Sequence, residues 1–122
     1  MAPHNEKTAH LVIEGLERHP SKLVLLAKFD DEYVGMTVGF INFATFSAKP
    51  FINIHDVIVL EKYRGNGIGK KLINENILYA KELNCSKITL EVREDNFVAQ
   101  GLYKKSGFDE GKPPMRFWSM YL

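Results

Sequence analysis

One cysteine, no long apolar run and no surplus of either charge bound what this 122-residue chain can be. Cys85 alone cannot close an intrachain disulfide, and a chain without a cysteine cluster builds no cysteine-rich metal site. It falls between a helical and a strand pattern, the setting of a packed, unreactive thiol. No stretch approaches the roughly 20 apolar residues of a membrane span. Pro3, His4, Asn5 and Glu6 stand where a secretory signal needs an apolar segment, so the expected compartment is the cytoplasm. Sixteen basic against fifteen acidic residues leave a formal charge of +1, which gives no case for nucleic acid or an anionic membrane as partner. Internal repeats, low-complexity stretches and linkers are missing too. The expectation is one domain over residues 1–122, and a hydrophobic content of 45% suffices for a modest core.

Hydrophobic period organises that domain. Asn5 to Arg18 reads as a short amphipathic helix through Ala9, Val12, Ile13 and Leu16, closed by Pro20, its pattern explained by packing alone. Two strands, Lys22 to Phe29 and Val34 to Phe46, are joined through Asp30, Asp31 and Glu32 as a hairpin. A third strand follows over Ile52 to Leu60. Gly67 to Leu83 carries the row Ile73, Ile77 and Ala80 of a helix with one buried face. Lys87 to Val92 is strand-like, Phe97 to Ser106 helical up to Gly107, and Met115 to Tyr121 reads as a last strand. This order implies a mixed α/β sheet with helices on both faces.

The densest signal is Tyr63 to Lys71, YRGNGIGKK, between the third strand and its helix. Gly65, Gly67 and Gly69 let the backbone turn tightly and approach a ligand, so that successive N–H groups can point at one anion. The following helix adds its positive dipole end. Arg64, Lys70 and Lys71 suit a pyrophosphate better than a neutral ligand. The plain alternative is an ordinary glycine-rich turn. A Walker loop is excluded because Gly69 is followed by Lys70 and Lys71 with no magnesium-binding hydroxyl. A dinucleotide fingerprint fails on spacing, Gly-x-Gly-x-Gly in place of Gly-x-Gly-x-x-Gly.

Arg-x-x-Gly-x-Gly, carried by Arg64, Gly67 and Gly69 after the strand HDVIVLEKY, resembles the acetyl-coenzyme A loop of the GNAT superfamily of N-acetyltransferases. A second block, LEVREDNFVAQGLYKKSGF from Leu90 to Phe108, is similar to that family's strand, Asn and helix ending in Leu-Tyr and Gly-Phe. The resemblance runs from about Lys22 to the C-terminus. It implies the acyl-CoA N-acyltransferase fold: a mixed, mostly antiparallel sheet in which a parallel strand pair splays apart and acetyl-CoA, as co-substrate, enters the gap. Val57, Ile58 and Val59 would meet the two amides of pantetheine through their backbone while packing their side chains. Arg64, Gly65, Asn66, Gly67, Ile68, Gly69 and Lys70 would hold the pyrophosphate, and Asn96 the pantetheine arm, although an Asn before a helix is also a routine N-cap. No metal is implied.

Acetyl transfer to an amine needs a neutral nucleophile, a polarised carbonyl and a proton for the leaving thiolate. A backbone N–H near Val59 answers the second demand. Tyr103, which matches the family's tyrosine beside the cofactor sulfur, answers the third, since a phenol with a pKa of about 10 keeps its proton at neutral pH. Packing in the core is the plain role for that tyrosine. Many relatives carry a glutamate base on the strand before the loop, where this chain has His55 and Asp56. An imidazole with an ordinary pKa of about 6.5 suits the removal of an ammonium proton, against the plain role of a satisfied strand histidine. Asp56 and Glu91 are further candidates, and His4, His10 and His19 belong to the first helix or its end.

A full family member begins with a strand and a helix ahead of the segment matching His10, and these are absent or nearly so here. An uncovered edge strand is an association hazard, so a homodimer is expected. The acceptor is expected to be a primary amine of a small molecule. A protein lysine or N-terminus, and a non-catalytic acetyl-CoA sensor, are the alternatives.

Overall fold

Residues 6–122 are described by the computed structural model, so Asn5, the expected start of the first helix, and Pro3 and His4 before it lie outside the described residues. Two compact units divide the chain, one ending at Glu91 and one running from Val92 to Leu122. The first holds α1 (Glu6–Arg18), β1 (Lys22–Phe29), β2 (Glu32–Ala44), β3 (Lys49–Val59), a 3-10 turn (Glu61–Tyr63), α2 (Ile68–Glu82) and β4 (Ile88–Leu90). The second holds α3 (Phe97–Ser106).

The strands form one sheet in the order β1-β2-β3-β4, with the first two pairings antiparallel and the last parallel. The mixed, mostly antiparallel sheet expected from the sequence is present. Asp30 and Asp31 make the β1–β2 turn with φ of 46° and 66°, a left-handed pair that suits the strands' twist and that Asp tolerates better than most residues. Leu72, Ile73, Asn76 and Ala80 line the buried face of α2, and Ile52 and Ile54 of β3 are 0% and 2% exposed. Leu72, Asn76 and Ala80 stand four residues apart and Ile73 stands three before Asn76, the spacings that bring side chains to one face.

Three expectations are corrected. β4 stops at Leu90, short of the expected Val92, because its ladder to β3 has only the rungs Ile52↔Ile88, Asn53↔Thr89 and Ile54↔Leu90. Met115 to Tyr121 forms no strand; apolar residues occupy both parities there, and its backbone has no ladder partner among the described residues. In α1 the apolar row is mostly unpacked: Val12 and Ile13 are 43% and 55% exposed, Ala9 is exposed, and only Leu16 is half-buried. The period of that row suffices to set a helix, whereas burial needs a second surface. No helix among the described residues is long and apolar enough to cross a membrane.

Candidate functional site

β3 is paired on both sides only as far as Ile54. Between Val38↔Asp56 and Gly39↔Ile54 the register with β2 skips one residue, which leaves His55 as a β-bulge. A bulge bends the strand and raises its twist, and here it falls where the β3–β4 ladder ends. From that point β3 runs on to Val59 with β2 on one side and, among the described residues, no strand on the other. This is the fork of the parallel pair.

Backbone alternation says which groups face the opening. The Leu60 N–H donates to the Val34 carbonyl at 2.9 Å, so in this antiparallel stretch Leu60, Ile58 and Asp56 turn their polar groups to β2. Val57 and Val59 turn theirs to the open side. Arg64 Nε donates to the Val59 carbonyl at 3.0 Å. The Val57 N–H, the Val57 carbonyl and the Val59 N–H face the same open side, one donor–acceptor pair followed by a single donor. Ile58 lies in the same stretch with its backbone committed to Met36.

The loop after β3 is anchored at both ends. Tyr63 donates its hydroxyl to Glu32 Oε2 at 2.6 Å, tying the 3-10 turn to the start of β2, and this hydrogen bond to a carboxylate raises the Tyr63 pKa. Asn66 Nδ2 donates to the Tyr63 carbonyl at 3.0 Å and closes the loop on itself. Gly65 and Gly67 have φ of 82° and 79°. Gly67 is the N-cap of α2 in the left-handed region, where a side chain is strained even though open space surrounds the position. Gly69 lies inside the helix, whose first backbone bond runs from the Lys71 N–H to the Gly67 carbonyl at 3.1 Å. The N–H groups of Ile68, Gly69 and Lys70 therefore lack intrahelical acceptors, and no side chain caps them. Lys70 and Lys71 stand in a first turn with no acidic residue. Cations there oppose the helix dipole, an arrangement that an anion at the helix end would relieve.

Polar side chains cross the fork on one face of the sheet. Asn53 Nδ2 donates to Thr89 Oγ1 at 3.0 Å and to Glu91 Oε1 at 3.4 Å. One rung beyond Ile54↔Leu90, His55 would oppose Glu91, so a histidine and a glutamate stand on the two prongs at the first rung that does not form. The His55 side chain is exposed, and its ring meets Phe40 edge-on with centroids 6.1 Å apart. Phe40 is the β2 partner of Asn53, and His19 packs against it from the other side at 4.8 Å. Sequence reasoning weighed Glu91 but missed Asn53. The signal was an amide between Ile52 and Ile54, on the same strand parity as His55.

Asn96 and Tyr103 belong to the second unit. Asn96 is the N-cap of α3: its Oδ1 accepts from the Ala99 N–H at 3.2 Å. The preceding turn is held by Gln100 Nε2, which donates to the Arg93 and Glu94 carbonyls at 2.8 and 2.9 Å. Arg93 grips Asp95 through Nε and Nη2 at 3.0 and 2.9 Å, which keeps the Asp95 carboxyl below its usual range. Tyr103 is half-buried, and burial pushes its hydroxyl above the ordinary value of 10.0. Its ring meets Phe108 at 6.0 Å, just past the helix-ending Gly107 with φ of 105°. Burial likewise raises the Cys85 thiol, as an unreactive packed cysteine requires.

Residues 1–108 match the family model described as Acetyltransferase (GNAT) family. The chain is 30% identical over 95 residues to the uncharacterized N-acetyltransferase YhfO of Bacillus subtilis, covering 78% of this chain and 63% of that protein. It is 33% identical over 110 residues to an N-alpha-acetyltransferase of Sulfurisphaera tokodaii, covering 84% of this chain and 65% of the relative. The chain thus spans somewhat under two thirds of the length of either. Among solved structures, one described as a probable acetyltransferase superposes with a TM-score of 0.87 at 21% identity, over 99% of this chain and 81% of that one.

Proposed function

The chain belongs to the acetyltransferase (GNAT) family, and from that premise we propose that it transfers the acetyl group of acetyl-CoA to a primary amine. The observation that carries the reading is the pairing of the open side of β3 with the bare, basic N-terminus of α2. The Val57 N–H and carbonyl offer one rung of a strand to the amides of pantetheine. The N–H groups of Ile68, Gly69 and Lys70, with Lys70, Lys71 and the exposed end of Arg64, offer donors and charge to the pyrophosphate. Gly65, Gly67 and Asn66 shape the turn between these two parts. Bound acetyl-CoA would supply the activated thioester.

The chain's own groups then have separate tasks. Val59 directs its free N–H at the carbonyl oxygen on which negative charge grows. His55 takes the proton of the incoming ammonium, directly or through water, and Glu91 on the other prong attracts that cation. Tyr103, assigned by the family motif, gives its hydroxyl proton to the sulfur that leaves. Burial keeps that proton in place across neutral pH, because the charged phenolate is the form it disfavours. Asn96 caps α3 and in the family reading also meets the pantetheine arm.

A small-molecule amine is the first acceptor reading, since one histidine and one glutamate at the fork suit a single ammonium. The second reading, a protein N-terminal amine, is favoured by the name of the Sulfurisphaera relative. The working form is taken as a homodimer, because the outer edge of β1 and the exposed row of α1 call for cover. The cytoplasm suits the lone Cys85.

Calorimetric titration of acetyl-CoA tests the reading. Binding is expected, with about 2.7 kcal/mol of added stability at a hundredfold excess over Kd. Gly67→Val, which forces a β-branched residue to φ of 79°, is expected to lose binding at least about tenfold. An absence of binding to the folded wild type would sink the assignment. Thiol release with a diamine against a free-N-terminus peptide then separates the two acceptors.

A further inference from the structure

α2 meets β2 through an unusual stripe. Gly35 and Thr37, two residues apart on one face of β2, lie under Ile68, Leu72 and Asn76, which are one helical turn apart. A Cβ on Gly35 would stand 3.0 Å from Ile68 Cγ2 and 3.1 Å from Leu72 Cδ1, so the helix is as close as its side chains allow. The next contact along the stripe is polar. Asn76 Nδ2 donates to Thr37 Oγ1 at 3.0 Å and to the Leu72 carbonyl at 2.9 Å, with Asn76 and Thr37 only 1% and 0% exposed. Asn76 Oδ1 is buried and accepts from no group among the described residues.

A buried amide with one orphaned oxygen is a poor way to stabilise a core. Two apolar side chains of similar shape would do at least as well, because the orphan carries its full desolvation cost. Its merit is direction. Apolar ridges tolerate sliding, whereas a hydrogen bond between one helix residue and one strand residue is satisfied at a single axial position, as a buried Asn fixes register between paired helices. Thr37 is the β2 partner of Val57, whose backbone faces the open side of β3. The bond therefore references the position of α2, and with it the N–H groups of Ile68, Gly69 and Lys70, to the rung of the sheet where the cleft opens.

We propose that Asn76 and Thr37 are positioning residues that fix the axial register of α2 against the sheet, setting the distance between its anion-binding N-terminus and the open edge at Val57. The inference rests on the acetyl-CoA reading above for its ligand, and on the stripe alone for its geometry. A difference of one position along a helix is about 1.5 Å, and misplacements of that order are costly at a site built from fixed donors.

The test compares the wild type with Thr37→Val, Thr37→Ser and the double variant Thr37→Val/Asn76→Leu. Each is measured by thermal unfolding, NMR and acetyl-CoA titration. In the double variant the melting temperature is expected to stay level or rise while the Kd for acetyl-CoA weakens about tenfold, the factor that ~1.4 kcal/mol produces. Thr37→Ser, which keeps the hydroxyl, should restore wild-type affinity where Thr37→Val does not. A merely structural role would lower the melting temperature and leave Kd alone, and a folded double variant binding like the wild type overturns the proposal. Should the wild type itself fail to bind, the acetyl-CoA reading falls, and the NMR contacts of Gly35 with the Ile68 and Leu72 methyl groups decide the register claim independently. A changed contact pattern in Thr37→Val and the double variant supports it, and an unchanged one removes it. If the double variant does not fold, the Thr37→Val and Thr37→Ser pair gives the same decision.

Discussion

β3 is one strand with two careers. Its first half, through Ile54, has a neighbour on each side, and Ile52 and Ile54 there are 0% and 2% exposed. Past the bulge at His55, the same strand keeps β2, has no strand on its other side among the described residues, and every residue from Asp56 to Val59 is only half-buried. The closed half is made of side chains that leave water. The open half owes its character to backbone groups that face a side with no strand among the described residues, which a stable sheet ordinarily avoids. A single extra residue separates the two, so the opening on this side of β3 begins only past the bulge and leaves the core ladder intact.

The sharpest break of this contrast is a pair of truncations. Ile52→Ala in the closed half is expected to lower stability by about 2–5 kcal/mol through lost burial and a residual cavity. Val57→Ala in the open half should cost only about 1 kcal/mol, since its methyl groups leave a half-buried site. Urea unfolding of both variants settles it, and equal losses would show that the open half is core after all.

Next in size is the separation of binding from chemistry. If the open half of β3 binds and Tyr103 supplies the proton, Tyr103→Phe should lower kcat at least about a hundredfold and leave acetyl-CoA affinity nearly unchanged. The pH dependence carries the sign. Burial raises the Tyr103 pKa, so the acid form persists through neutrality and its contribution is lost only as pH climbs past that raised value. A decline of kcat at high pH in the wild type that is missing from Tyr103→Phe would identify the group. Equal loss of affinity and turnover would return Tyr103 to a packing role.

Much of this contrast was legible in the sequence, and the reasons divide cleanly. The loop was readable because glycines at 65 and 67 answer a local demand for left-handed backbone, and α3 because Asn96 and Gly107 are caps that act within one turn. The bulge was not readable. Nothing in Ile54, His55 and Asp56 announces that β2 skips a residue, since register is settled by the facing strand. The end of β4 escaped for the same reason: Leu90 and Val92 keep the alternation going after the partner has gone. α1 and the segment from Met115 to Tyr121 show the converse, apolar patterns without a covering surface in the described chain. Pattern states what a segment could bury. Only the neighbour decides whether it does.

Asn53 joins the two halves, and its removal is the smallest effect expected. Its amide bonds Thr89 inside the closed ladder and Glu91 just beyond it. Asn53→Ala should cost about 0.5–1.5 kcal/mol, the net worth of a partly solvated hydrogen bond. The larger consequence should fall on Glu91, which loses its one donor in the fork and with it the geometry for attracting an ammonium beside His55. The KM for a cationic acceptor is then expected to rise severalfold while acetyl-CoA affinity holds, because neither Asn53 nor Glu91 is among the residues proposed to hold the cofactor. Glu91→Gln, which keeps the hydrogen bond and removes the charge, distinguishes positioning from attraction. If Asn53→Ala raises KM and Glu91→Gln does not, the carboxylate's charge is irrelevant and the fork orders the acceptor by shape; if both raise it, Glu91 acts as a charge that Asn53 aims.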